Sequence, residues 1–163
     1  MPAKVVAVGD GPQKDDYNAL ANELGLGDKV CFAGHVDDFT LRALYKVSNV
    51  AVFPSRFEPF GIVALEAMAS YCPVVASAVG GLDEVVDHGG TGLKVPPNDV
   101  GALAWAIERI MMRASRTGLL ETPTRSACGT TTGIRFQNGP PASTIESCTN
   151  MGLVLGNLSR CPH

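Results

Sequence analysis

The chain has 163 residues, enough for one ordinary domain with or without a tail. Hydrophobic residues make up 45% of it and charged residues 18%, a globular balance, and a net charge of −3 gives no electrostatic reason to expect nucleic acid as a partner. No apolar run is long enough to cross a bilayer, and no basic-then-apolar leader opens the chain, so the cytoplasm is the expected compartment.

Residues 1–113 alternate regularly. KVVAVG (4–9) is a short apolar run ended by Gly-Asp-Gly-Pro, which predicts a strand and then a turn. QKDDYNALANELGL (13–26) predicts a helix with Tyr17, Leu20 and Leu24 as its apolar set and Gly25 and Gly27 near its end. KVCFAG (29–34) is the second strand. DDFTLRALYKVS (37–48) is a helix with Phe39, Leu41, Leu44 and Val47 as its apolar set. NVAVFPS (49–55) is a third strand, GIVALEAMAS (61–70) a buried helix and PVVAS (73–77) a fourth strand. GLDEVV (81–86) is a short helix and GLKVPP (92–97) a fifth strand. DVGALAWAIERIMM (99–112) is a closing amphipathic helix with Asp99 at its N-cap. This alternation implies parallel strands joined by right-handed crossovers, and solid Val/Ala/Phe runs imply strands buried on both faces. The predicted fold is an α/β, doubly wound parallel sheet.

Residues 114–163 change character. Of these 50 residues, 23 are Gly, Pro, Ser or Thr, lysine is gone, and Glu121 and Glu146 are the only acids. MGLVLGNL (151–158) is the best apolar stretch. So little apolar surface cannot offset an ordering cost of about 1–2 kcal/mol per residue, which predicts an irregular, poorly ordered tail. Translation past a truncation or frameshift would leave the same composition. Three of the five cysteines lie in this tail (Cys128, Cys148, Cys161), whereas Cys31 and Cys72 sit in or beside apolar runs and read as small core residues. There is no CxxC pair, and an odd count argues against a full disulfide framework; no His/Cys cluster has zinc-ligand spacing, so neither a metal nor a cofactor is expected.

In open α/β sheets, ligands bind beyond the carboxyl ends of the strands. That rule selects the loops GDGPQ (9–13), GHVDD (34–38), SRFEPFG (55–61), SAVGGLDE (77–84) and PPND (96–99). In the first, Gly9 and Gly11 fit either a plain tight turn or a close backbone approach to a ligand. Neither GxGxxG nor a P-loop occurs. The strongest signal is EPFGIVALEA, in which Glu58 and Glu66 bracket a glycine-led helix. The first N–H groups of that helix lack internal partners and, with the helix dipole, suit a diphosphate. Glu66, about one turn in, could accept hydrogen bonds from a ribose diol, and Glu58 from sugar hydroxyls on the other side. The plainer reading makes Glu58 a helix cap and Glu66 a solvated surface residue. Against it, Leu65, Ala67 and Met68 are poor company for an idle charge.

FPSRFEPFGIVALEAMASYCPVVASAVGGLDEVV closely resembles the donor-binding region of retaining glycosyltransferases of family 4, also called group 1. The E-x7-E pattern falls on Glu58 and Glu66, and VGDGP, VCFAGHV, GGLDEVV and TGLKVPP match in order across residues 3–112. The resemblance implies a GT-B fold, two Rossmann-like domains with a cleft between them, of which this chain carries the C-terminal, donor-binding one. It implies a nucleotide-diphosphate sugar of the UDP, GDP or ADP type as ligand and transfer of a hexose with retention. Glu58 would hold the donor hexose and act in catalysis, while Phe60, Gly61 and Ile62 would present backbone N–H groups to the sugar and diphosphate. Glu66 would bind the nucleotide ribose, His35 and Val36 would lie against the base, and Gly9 and Gly11 would approach the phosphates. Gly80, Gly81 and Glu84 would shape the adjoining loop. His88 reads as a turn residue.

In that family an Arg and a Lys neutralise the diphosphate from a segment preceding the point where this chain begins. The acceptor-holding N-terminal domain is also outside it, so it would have to act in trans, or the chain would self-associate. Without preorganised cations or domain closure, little or no transfer is expected from this chain alone. The rival reading is a non-catalytic nucleotide-binding or dimerising module from a truncated gene. The family also includes proteins that associate with membranes at full length.

Overall fold

The computed structural model describes residues 3–117 and 152–156. Strands β1 (Lys4–Val8), β2 (Val30–Gly34), β3 (Val50–Phe53), β4 (Val74–Ser77) and β5 (Gly92–Val95) alternate with helices α1 (Lys14–Glu23), α2 (Asp38–Val47), α3 (Ile62–Ala69), α4 (Gly80–Val85) and α5 (Val100–Thr117). A sixth strand, β6 (Gly152–Gly156), comes from the C-terminal segment. The sheet order is β2-β1-β6-β3-β4-β5.

This is the Rossmann-like α/β architecture the alternation predicts, with one difference. The first five strands run parallel, but β6 runs antiparallel to both of its neighbours. α5 runs past residue 113 to Thr117, and within the C-terminal segment Gly152–Gly156 forms a strand. The rest of the tail lies outside the described residues.

Every residue of β3 and β4 is buried, as expected for strands covered on both faces. Period two divides them. Ala51, Phe53, Val74 and Ala76 join Tyr45 of α2, Ala64 and Ala67 of α3 and Leu82 of α4 on one face. Val50, Val52 and Val75 join Val95, with Ala106 and Ile110 of α5, on the other. Ala64 and Ala67 share one stripe of α3, and their small side chains let that helix lie close on the sheet.

Helix ends follow local chemistry. The Asp37 carboxylate accepts from the Thr40 N–H at 2.9 Å and the Thr40 hydroxyl at 3.0 Å, capping α2. Asp99 caps α5 as its position predicts, accepting from the Ala102 N–H at 2.8 Å.

Two apolar sets differ from expectation. On α1, Tyr17, Leu20 and Leu24 are exposed and Ala21 is the buried residue. On α2, Phe39 and Val47 are exposed, and Tyr45 takes the core position. Cys72 is core, and burial pushes its thiol up to about 12. Cys31 is exposed, because the outer strand β2 is covered less completely than the central ones.

Past α3 the chain closes a Schellman turn, with the Tyr71 N–H donating to Met68 O at 2.9 Å and the Cys72 N–H to Ala67 O at 3.0 Å. Tyr71 holds the left-handed position at φ 61°, where glycine or asparagine is usual, and its side chain is exposed. Tyr71→Asn is therefore expected to raise the thermal midpoint by a few degrees, from about 0.5–1 kcal/mol of relieved strain. An unchanged or lower midpoint in a thermal melt would mean that the ring's contacts outweigh the strain.

Candidate functional site

The chain winds from β1 outward to β2, then back across to β3, β4 and β5. The direction of winding therefore reverses between β1 and β3, and a doubly wound sheet opens its ligand crevice at such a point. Loops 9–13, 35–37, 54–61 and 78–79 all leave carboxyl ends of parallel strands at this edge of the sheet.

The structure gathers the sequence-derived residues into two groups. The first lies on β1 and β2. Gly9, at φ 123°, donates its N–H to Gly34 O at 2.8 Å, and Gly11 O accepts from the Lys14 N–H at 3.2 Å. Lys14 reaches the Asp10 carboxylate at 3.3 Å, an exposed pair worth a fraction of a kcal/mol. His35 is exposed and Val36 half-buried directly after β2.

The second group is built around α3. Glu58 is buried, and its Oε1 accepts from the N–H groups of Phe60 at 3.4 Å and Gly61 at 3.2 Å. Its own carbonyl accepts from the Gly81 N–H at 2.8 Å. Glu58 thus ties the α3 entry loop to itself and to the start of α4. The capping geometry of the plainer reading is present, and two of the three backbone donors assigned to a ligand already meet Glu58. The third, the Ile62 N–H, has no acceptor among the described residues, and neither has that of Val63. Both lie in the first turn of α3, where the helix dipole favours an anion.

Two glycines make this knot possible. Gly61 stands at φ 67°, and a Cβ there would come within 2.7 Å of Gly81 O. A Cβ on Gly81 would collide with the main chain of Phe60. Loop 58–61 and the α4 N-terminus consequently pack backbone to backbone.

Glu66 is exposed on α3 but not electrostatically idle. Partial burial and, second, the nearby Asp38 carboxylate raise its pKa, while Arg42 pulls it down. Buried Tyr45 has its phenol raised by burial and then by the Glu66 charge. Asp38, Arg42 and Tyr45 occupy one stripe of α2 at helical spacing, so α2 presents a mixed-charge face to Glu66. Sequence reading missed these neighbours, although that stripe was the available signal; only the packing of α2 on α3 connects it with Glu66.

Other predicted residues divide cleanly. His88 is a turn residue, its Nδ1 accepting from the Lys94 N–H at 3.0 Å. Glu84 is exposed on α4, whereas Gly80 and Gly81 do shape the loop against Glu58 and Phe60. Among the described residues no group of three His, Cys, Asp or Glu side chains could hold a metal, and no helix is long and apolar enough to cross a membrane.

A family model described as glycosyl transferases group 1 matches residues 1–122. Over 109 residues the chain is 47% identical to an uncharacterized glycosyltransferase of Methanocaldococcus jannaschii, covering 67% of this chain and 28% of that protein. Sucrose-phosphate synthase from Thermosynechococcus elongatus shares 44% identity and a TM-score of 0.66, over 74% of this chain and 32% of that one. Anabaena HepE, solved in complex with UDP-glucose, shares 29% identity and a TM-score of 0.67, over 76% of this chain and 35% of that one. The chain spans well under half of each of these proteins.

Gly81→Ala is expected to destabilise the protein by about 2 kcal/mol, since backbone rather than a flexible side chain must move to admit the methyl group. A denaturant melt matching the parent would show the knot to be looser than drawn. Glu66 supplies a pH test. Its folded pKa lies above the ordinary 4.5, so its stabilising contribution is complete below that value and is lost as pH rises through the folded pKa. Glu66→Gln should therefore be more stable than the parent at pH 7, with the gap closing toward pH 4. A gap that widened on acidification would reverse the assigned shift.

Proposed function

Since the chain belongs to the family of glycosyl transferases group 1, we propose that residues 3–117 bind a nucleotide-diphosphate sugar as the donor-side domain of a transferase that moves a hexose with retention. The observation that carries this reading is the first turn of α3. Its Ile62 and Val63 N–H groups lie open beside a topological switch point, with Glu66 one turn further along. The crystallised complex of HepE with UDP-glucose, a protein of similar fold, supports the same ligand class.

In this reading the diphosphate meets the α3 tip, with Gly9 and Gly11 approaching it from β1. Glu66 accepts the ribose hydroxyls, and its ionised form is the one that does so. His35 and Val36 flank the base from the end of β2. Glu58 has two tasks: it fixes the Phe60–Gly61 turn and offers its carboxylate to the hexose, which makes it the candidate catalytic group.

Transfer itself needs more. Charge develops on the departing diphosphate, and the nearby cation Lys14 is already engaged with Asp10. Closure of a second domain would exclude water. We place both the phosphate-clamping cations and the acceptor site outside this chain, which alone transfers little or nothing. The family's cytoplasmic setting, with membrane association at full length, belongs to the same proposal. A non-catalytic nucleotide-binding module is the second reading, favoured by the Glu58 side chain occupying two of the donors at the tip.

Isothermal titration of the whole chain with UDP, GDP and ADP tests the binding. One nucleotide is expected to bind, and Glu66→Ala to weaken it at least tenfold, about 1.4 kcal/mol. Heat from none of the three, or binding unchanged in Glu66→Ala, removes the assignment. Transfer or donor hydrolysis above background would show that the chain needs no partner domain.

A further inference from the structure

The sheet has a seam. β1 pairs with β2 on one edge and β3 with β4, but β1 and β3 do not pair with each other. Only β6 joins them. Lys4 to Val8 match Gly156 to Gly152 on one side of it, and Val50 to Val52 match Leu155 to Leu153 on the other. Two parallel pieces, β2-β1 and β3-β4-β5, are thus held at a fixed separation by five residues from the far end of the chain.

The two groups of candidate site residues fall on opposite sides of that seam. Gly9, Gly11, His35 and Val36 follow β1 and β2, while Glu58, Gly61 and Glu66 follow β3. Gly152 pairs with Val8, one residue before Gly9, so β6 enters the sheet at the carboxyl ends of the parallel strands, the edge that carries the site. Its connection to α5 is long, from Thr117 to Gly152. The strand is held in the sheet by its two ladders.

We propose that Gly152–Gly156 is a strand tie that controls the candidate site. Seated, it sets the distance between the base-and-phosphate loops of β1 and β2 and the diphosphate-and-sugar loops of β3. Unseated, it leaves two unpaired edges and separates the halves. The functional consequence rests on the nucleotide-sugar reading above; the structural one does not.

Val154→Pro in the full chain removes a main-chain donor at the centre of β6. Hydrogen exchange should then speed at least tenfold at the amides of Val6, Val8, Val50 and Val52, which face β6, and stay unchanged in β5, and affinity for the bound nucleotide should fall at least tenfold. A synthetic peptide of residues 150–158, added at millimolar concentration, should restore both. Unaltered exchange in β1 and β3 overturns the tie. Altered exchange with unaltered affinity overturns its control of the site. A parent protein that binds no nucleotide overturns the functional reading alone, because the exchange experiment still reports on the strand. Should Val154→Pro fail to fold, the paired variant Val6→Cys with Val154→Cys decides the structural claim. Directly opposed antiparallel positions lie within disulfide range, so oxidation and peptide mapping should find the 6–154 link, and its absence overturns the proposal.

Discussion

A strand whose residues are wholly buried has no water at either edge, so each of its N–H and C=O groups must pair inside the protein. All of β3 is in that position, with β4 on one side. The other side would face a strand-wide gap, because β1 and β3 do not pair with each other. β6 fills the gap and pairs both β3 and β1. The continuity of the sheet and the placement of every loop above it follow from that main-chain requirement. Its antiparallel sense costs little, since antiparallel ladders are at least as stable per residue as parallel ones.

Above the sheet, geometry is fixed by backbone packed on backbone. The Glu58 carboxylate, the Phe60–Gly61 turn and the Gly80–Gly81 pair close a knot in which no side chain larger than hydrogen fits at Gly61 or Gly81. This arrangement explains how a buried carboxylate is tolerated: its oxygen receives hydrogen bonds from backbone amides instead of water. It also leaves the open donors one residue further into α3. The tip therefore sets main-chain donors beside a carboxylate, Glu66, whose charge is tuned by partial burial, Asp38 and Arg42.

Local pattern carried the reading of residues 4–112 because most of the strands and helices there are short, consecutive and bounded by glycine, proline or a cap. The ten elements of that stretch lie where period and punctuation put them, to within a few residues except at the end of α5. Helical faces were less legible. The period of α1 marks Tyr17, Leu20 and Leu24 as one apolar set, but only packing decides whether such a set is covered, and here Ala21 faces inward instead. The spacing of Glu58 and Glu66 was visible; their opposite burial was not, because it arises when the α4 glycines fold against the loop. Least legible was β6. A three-residue apolar run bounded by glycines, in a segment poor in apolar surface, signals nothing locally, and its partners lie more than a hundred residues away.

Binding and chemistry separate in such a domain for an electrostatic reason. A nucleotide-diphosphate sugar is already charged in its ground state, so amide dipoles and a ribose-binding carboxylate can recognise it at modest cost. The transition state concentrates further negative charge on the leaving diphosphate, and only donors that strengthen with that charge accelerate the step. The α3 dipole contributes about half an elementary charge, and the Glu58 and Glu66 carboxylates contribute the opposite sign. On the proposed reading, the described residues would favour the ground state over the transition state. Cations brought in by the rest of a longer transferase would reverse that preference without altering a single contact made at the α3 tip.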